Sequence, residues 1–255
     1  HSKPKYYGMG LKNKLSYYIL SLFSYYFPTA IFCCVEEVKS FHYKVGYQKK
    51  KLKVVFNGYD GNKFNLNHNN KYLSKLKLND GLIIFGTISR WDKYKDFNTL
   101  FKALKIFDKN YKNWRLIIAG SNLTKTNDEL NELINRNDLK NKVLVLGEIN
   151  DIENLFKIMT IHLLISNAEG FPNVIAESML SGVPCIATDV GDNKQIISDL
   201  GITVKINDHK DLAKKLDNFL TKLLDQNYSR FIKEECRNRI LNNYSLDKMI
   251  NNYNK

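Results

Sequence analysis

From residue 82 onward, short uninterrupted apolar runs alternate with longer segments whose apolar residues recur every three to four positions. That alternation constrains the fold more than any other feature. GLIIFGTIS (81–89), WRLIIAG (114–120), VLVLG (143–147), IHLLIS (161–166), PCIATD (184–189) and ITVKI (202–206) read as strands. Between the first two, DFNTLFKALKIFDKN (96–110) places apolar residues at 97, 100, 101, 104 and 107, the stripe of an amphipathic helix. Further helices are expected near 126–137, from Asp151 to about Ile158, from Asn173 to about Ser181, from near Asp208, and towards the C-terminus. Strands separated by helices, without hairpin turns, require βαβ crossovers and a mostly parallel sheet. The strands are apolar throughout, as a sheet covered on both faces demands. The fold class is therefore α/β. Ligands of such sheets sit beyond the C-terminal strand ends, and Arg90, Ser121, Glu148 and Glu169 each follow a strand.

The first 80 residues are less regular. LKNKLSYYILSLFSYY (11–26) reads as a helix, AIFCCV (30–35) as a short buried strand, and KLKVVFNGYD (51–60) as a strand entering an Asn-Gly turn. Residues 61–80 are polar enough for a linker, with a domain boundary near 57–65. Leu15 to Val35 carries no charge, long enough to raise a transmembrane span. Ser16, Ser21, Ser24, four tyrosines and Pro28 interrupt it, so helix followed by strand fits better. The net charge of +13 is concentrated here: residues 1–81 hold 14 Lys+Arg against 4 Asp+Glu, and the remainder 25 against 22. Such asymmetry points to nucleic acid, an anionic membrane surface or an acidic substrate, or simply to a solvated basic surface. Without zinc-finger spacing or an RRM-type aromatic signature, no nucleic-acid partner is expected. Cys33, Cys34, Cys185 and Cys236 show no metal or disulfide spacing and read as reduced cytoplasmic thiols. The opening HSKPK is unlike a signal peptide and points to a fragment of a longer chain.

Two stretches carry chemistry. In EGFPNVIAE (169–177), Pro172 suits the first turn of a helix, and Gly182 with Pro184 ends that helix well. Free N–H groups along Phe171–Val174 would point out of its start, where the dipole favours an anion. Gly170 leaves room for a ligand, Glu169 sits at the strand end, and Glu177 lies about one turn inside. By spacing alone the plainer reading holds its ground: Glu169 as a helix-start charge and Glu177 on an exposed face, about half a kcal/mol each. The second stretch, SRWDKYKD (89–96), sets Arg90 and Lys95 in the loop after the first strand of that alternation, on the same rim as Glu169. Guanidinium and ammonium groups beside a helix start can hold a diphosphate without a metal. No GxGxxG or GxxxxGK[ST] occurs, which disfavours nicotinamide cofactors and P-loop nucleotides. His42, His68, His162 and His209 lack nucleophile or carboxylate partners by spacing, and His162 reads as a core residue. Without GxSxG or HExxH, hydrolases and zinc enzymes drop out.

SNAEGFPNVIAESMLSGVPCIATDVGDNKQII (166–197) resembles the donor-binding region of retaining glycosyltransferases of family 4, which have the GT-B fold, and its two glutamates match that family's E-x7-E motif. GTISRWDKYKDFNTLFKAL (86–104), opening at Gly86, is similar to the segment that carries the family's arginine and lysine. VVFNGYDGNKF (54–64) resembles its P-N-G-x-D hinge, with Phe56 where proline is usual, and VLVLGEINDIENLFK (143–157) also fits; the likeness runs from about residue 30 to 225. The resemblance implies the end of an acceptor domain and hinge over 1–60, a Rossmann-like donor domain over 61–225, and helices over 226–255 packing back towards the N-terminal part. It implies that Gly86, Arg90, Lys95, Gly120, Ser121, Gly147, Glu148, Glu169, Gly170, Phe171, Pro172, Asn173, Val174 and Glu177 form the donor site. Arg90, Lys95 and the backbone along 171–174 would meet the diphosphate, Glu177 the ribose, Glu169 the sugar, and Gly120, Ser121, Gly147 and Glu148 the base. Glu169, Arg90 and Lys95 would take part in catalysis. The expected donor is a nucleotide sugar, most simply a UDP-sugar, used with retention and without a metal or other cofactor, on a glycan or lipid-linked acceptor. A cytoplasmic protein, peripheral on the inner face of the membrane, would fit. The alternative is a shortened module that binds nucleotide sugar or a partner protein without transfer. Asp96 stands where the family usually has glycine after the lysine.

Overall fold

The computed structural model describes residues 11–66, 71–79 and 81–254, with side chains from Leu15 onward. The chain begins with α1 (Leu11–Phe23), β1 (Ile31–Cys33), α2 (Glu36–Lys44), a 3-10 turn over Lys49–Lys51 and β2 (Leu52–Val54). β1 and β2 pair in parallel, Ile31 beside Leu52, as a sheet of two. The helix expected over 11–26 stops at Phe23, and no helix among the described residues is long and apolar enough to cross a membrane.

After α3 (Lys71–Lys75) come β3 (Ile83–Ile88), α4 (Phe97–Phe107), β4 (Trp114–Ala119), α5 (Asp128–Arg136) and β5 (Val143–Gly147). Then follow α6 (Ile152–Phe156), β6 (Ile161–Leu164), α7 (Asn173–Leu180), β7 (Cys185–Thr188), α8 (Asn193–Ile197) and β8 (Ile202–Val204). α9 (His209–Leu223), α10 (Gln226–Tyr244) and α11 (Leu246–Tyr253) complete the described residues. β3 to β8 form one parallel sheet in the order β5-β4-β3-β6-β7-β8. The chain winds outward from β3 through β4 to β5, then returns to the other side of β3 with β6. Direction reverses between β3 and β6, and a doubly wound sheet opens its ligand crevice at that switch point.

Sequence periodicity is met by burial. The five apolar positions of α4 (Phe97, Leu100, Phe101, Leu104 and Phe107) are all buried. Side-chain oxygens of Asp96, Asn127, Asp208 and Asp225 accept the backbone N–H three residues on, capping α4, α5, α9 and α10. α7 ends in a Schellman turn: Gly182 at φ 77° donates to Met179 O at 2.9 Å, and Val183 to Ser178 O at 3.0 Å.

The stretch 61–80 is more than a linker. Phe64 and Tyr72 are buried, and α3 begins at Lys71. Arg237 of α10 holds this stretch down, donating to Phe64 O and Gly61 O and, at 2.8 Å, to Leu180 O at the end of α7. A polar composition hid two aromatic anchors. α8 is likewise absent from the sequence reading, since five residues show no helical period.

Candidate functional site

β3 and β6 are neighbours, so the loops leaving their C-terminal ends meet although far apart in sequence. Asp96 N donates to Ile165 O and Asn167 N to Tyr94 O, at 2.9 and 2.8 Å, and Lys95 bridges Ser166 in antiparallel fashion. This backbone pairing brings the Lys95 ammonium onto Glu169 Oε1, and the same oxygen accepts from Ser166 Oγ at 2.6 Å. Both side chains of the pair are mostly shielded, 15 % and 12 % exposed. A sheltered pair is held in one geometry more firmly than an exposed one. Asp96, where glycine is usual in the resembled family, has φ −86° and caps α4, so the position needs no glycine.

Ser166 is held in turn by Thr188 at the end of β7: Thr188 Oγ1 donates to Ser166 O at 2.6 Å and accepts from Ser166 N at 3.0 Å. Behind Glu169, the loop after β7 supports the Glu169–Gly170 backbone. Asp192 N donates to Gly170 O at 3.1 Å. Gly191 has φ 54°, and a Cβ there would come within 2.5 Å of Glu169 O. Ser166, Thr188, Gly191 and Asp192 thus support Glu169 and its backbone, and none of them stood out in the sequence. A glycine in the loop after a strand was the one available signal, for Gly191.

Arg90 is exposed, and its guanidinium carries no hydrogen bond or ion pair among the described residues. Its loop is tied to the next one, since Trp91 N donates to Ser121 O at 2.8 Å. Gly120 N donates to Gly147 O at 2.7 Å, drawing the ends of β4 and β5 together. Gly120 has φ 136°, and a Cβ there would collide with Ser89 O, so glycine lets the end of β4 approach the end of β3. Glu148 lies exposed beyond Gly147. Gly86 is different: it sits in the interior of β3, and the space of its missing side chain is filled by Met159. Of the residues expected at the donor site, Gly86 is the one whose position belongs to core packing, because β3 continues two residues past it.

Pro172 occupies the position before α7, with no side-chain cap on the helix. The first-turn N–H groups of Asn173 and Val174 therefore have neither a preceding turn nor a cap to bond. Glu177, one turn on, is half-buried rather than exposed. Burial raises its pKa above the ordinary 4.5, with Lys63 opposing and Glu153 reinforcing the shift. Phe171 packs against Phe56, with ring centroids 5.9 Å apart, and against Tyr244 of α10 at 5.6 Å. Phe56, where the resembled family usually has proline, makes an aromatic contact.

His162 is a core residue: fully buried in β6, it accepts the Ile88 N–H through Nε2 at 3.3 Å. Burial, with the Lys95 charge, depresses its pKa to about 3 and keeps it neutral. His68 lies outside the described residues. Cys33, Cys34, Cys185 and Cys236 are free thiols, and no group of three or more metal-ligating side chains occurs among the described residues. A cavity of about 220 Å³ opens at the opposite end of β6 and β7, lined by Thr160, Val183 and Pro184 among others. It contains no carboxylate and lies away from Lys95 and Glu169.

Sheet order and switch point make this a Rossmann-like α/β domain. Solved structures place it among GT-B folds. A glycosyltransferase from Rickettsia africae superposes with TM-score 0.80 at 21% identity, over 96% of this chain and 66% of that one. Anabaena HepE in complex with UDP superposes with TM-score 0.84 at 20% identity, over 100% and 69%. The UDP-Gal:alpha-D-GlcNAc-diphosphoundecaprenol alpha-1,3-galactosyltransferase of Escherichia coli is 27% identical over 244 residues, 93% of this chain. The chain spans 62% of that relative's length. The family profile of glycosyl transferases group 1 matches residues 68–237, and the chain belongs to that family.

Proposed function

We propose that this chain supplies the donor half of a retaining glycosyltransferase of family 4, with 169–177 as its E-x7-E motif. The donor is a UDP-sugar, and the product is an extended glycan or lipid-linked glycan. One observation carries the reading: at the β3–β6 switch point a shielded cation, Lys95, and a shielded carboxylate, Glu169, face each other beside an uncapped helix start. Without donor they neutralise one another. With donor bound, Lys95 turns to the diphosphate and Glu169 to the sugar hydroxyls, an exchange of partners that keeps both charges satisfied. Arg90 and the N–H groups at the start of α7 complete the diphosphate clamp. Glu177, its carboxylate favoured neither by burial nor by Glu153, gains hydrogen bonds from the ribose hydroxyls.

In the transfer step the bond from the sugar's anomeric carbon to the diphosphate breaks. A bond from an acceptor hydroxyl oxygen forms on the same face, and the hydroxyl proton leaves with the released diphosphate. The fixed cations stabilise the charge that develops on the leaving group, and no metal is required. The base lies against Gly120, Ser121, Gly147 and Glu148. The UDP of the HepE complex and the diphosphoundecaprenol acceptor in the E. coli relative's name support a UDP-sugar and a lipid-linked acceptor. A cytoplasmic site at the membrane's inner face follows, with the exposed Tyr26 and Phe27 and the basic Lys49–Lys51 turn against anionic lipid. Binding to anionic but not neutral vesicles at low salt tests that placement.

Calorimetry with UDP and with intact UDP-sugars tests the site. Glu177→Ala weakens both ligands, whereas Glu169→Ala weakens the sugar donor alone; equal losses for both ligands refute this division. A second reading is binding without transfer. Incubation with labelled UDP-sugars and a polyprenyl-diphosphate sugar separates the two, because a pure binder yields no product.

A further inference from the structure

The hinge segment and the start of α7 are joined through one side chain. Tyr59 lies between Gly58 and Asp60 and is 7 % exposed. Its backbone is fixed where α10 meets α11: Tyr59 N donates to Tyr244 O at 2.9 Å, and Leu246 N donates to Tyr59 O at 3.1 Å. Its hydroxyl donates to Asn173 Oδ1 at 2.7 Å, and the same oxygen accepts from Asn57 Nδ2 at 2.9 Å. Its ring stacks on Phe171, with centroids 6.4 Å apart and planes 15° from parallel.

Tyr59 therefore holds the residues on both sides of Pro172, 171 and 173, whose backbone frames the start of α7. Burial, reinforced by the charge of nearby Glu177, raises the pKa of the Tyr59 phenol above the ordinary value of 10. Asn173 opens the helix, and its side-chain oxygen is committed to the hinge.

We propose that Tyr59, acting through Asn173, is a positioning residue that fastens the hinge to the diphosphate end of the donor site. The inference rests on the donor-site reading above. A diphosphate clamp made of backbone N–H groups works only if the backbone is held still, and α7 has no cap of its own to hold its first turn. Here the restraint comes from a segment 114 residues earlier in the chain. Movement of the hinge is then felt at the phosphate, and phosphate binding stiffens the hinge.

The test is calorimetric titration of the full chain with UDP, well below its unfolding temperature, for wild type, Tyr59→Phe, Asn173→Ala and the double variant. Tyr59→Phe keeps the ring and its stacking but loses the donor, and an affinity loss of about three- to tenfold is expected. Asn173→Ala, which also releases Asn57, is expected to lose at least as much. The double variant should be no weaker than Asn173→Ala alone, because the Tyr59 bond is already absent there. Unchanged affinity in Tyr59→Phe, with or without a lower melting temperature, overturns the proposal and assigns the bond to fold stability alone. Additive losses overturn it as well. Arg90→Ala is run alongside: weakened binding there with no effect in Tyr59→Phe sinks the fastening while sparing the donor site. Failure of the wild type to bind UDP sinks both.

Discussion

Phe101 of α4 is fully buried, whereas Tyr26 and Phe27, just past α1, are 84 % and 75 % exposed. The contrast extends to the two parts of the molecule that hold them. From Ile83 to Tyr244 the six-stranded sheet and its helices enclose one continuous core, with Phe85, Trp114, Leu116, Phe156 and Ile175 at its centre. Among the described residues, the N-terminal piece gathers Cys33, Tyr47 and Leu52 as its small buried cluster, while Leu15, Ile19, Leu22 and Phe32 stand open. A parallel sheet of six strands between helix layers can satisfy its apolar pattern internally; a sheet of two strands cannot. The lesson is that the proposed donor site stands on the part that satisfies its own apolar pattern. The N-terminal piece presents a surface suited to being covered.

Core truncation tests this contrast with the largest effect. Phe101→Ala should cost about 3–5 kcal/mol of stability in urea unfolding. Leu52→Ala should loosen only the small piece and leave UDP affinity within about twofold. Loss of UDP binding in Leu52→Ala would show that the two parts stand or fall together. Next come the cations of the site: Arg90→Ala and Lys95→Ala should each weaken UDP binding by about 1.5–3 kcal/mol, the value of a charge-assisted contact. Unchanged affinity in both removes the diphosphate from this rim.

The buried imidazole reads out the integrity of the larger core through pH. His162 titrates near 3 in the folded chain and near 6.5 when exposed. Below 6.5 the unfolded chain binds the extra proton, so this contribution to stability is complete above that pH. It is lost progressively on acidification, by about 2 kcal/mol between pH 6.5 and 5. Urea midpoints at pH 7, 6 and 5 should show a shallower acid slope in His162→Gln than in wild type; equal slopes would exclude this histidine as the source.

Glu177 gives the smallest effect and the opposite sign. Its folded pKa is raised, so below 4.5 the group is neutral in both states and contributes nothing. As the pH rises past 4.5 the unfolded carboxyl ionises first, and the folded state loses stability until its own carboxyl has ionised. Glu177→Gln should therefore melt slightly higher than wild type at pH 7 and equally at pH 4, while binding UDP about three- to tenfold more weakly. A lower melting temperature at pH 7 would place Glu177 in the scaffold.

Much of the larger part was legible beforehand. Each strand from β3 to β8 lies within the apolar run that marked it, because burial on both faces writes itself into consecutive residues. The turn at Gly182 and the helix after Pro172 follow equally from local backbone chemistry. α8 and the anchoring of Phe64 and Tyr72 were not legible, being short elements whose order comes from contacts with distant helices such as α10. At the site, Arg90, Lys95, Glu169 and Glu177 stood out by residue type, loop position and family resemblance. Ser166, Thr188 and Tyr59 did not, since a serine, a threonine and a loop tyrosine carry no signal until their partners are known.

By itself the sequence determined the alternation of strands and helices, the rim on which the polar residues fall, and the start of the helix after Pro172. These depend on periodicity and backbone chemistry within a few residues. Only the tertiary structure decided that β3 lies beside β6. That adjacency sets Lys95 against Glu169, 74 residues away. The junction of α10 and α11 holds Tyr59 where it reaches Asn173, 114 residues away. Strand order and side-chain partnership are settled by packing across the whole sheet, and no local pattern encodes them.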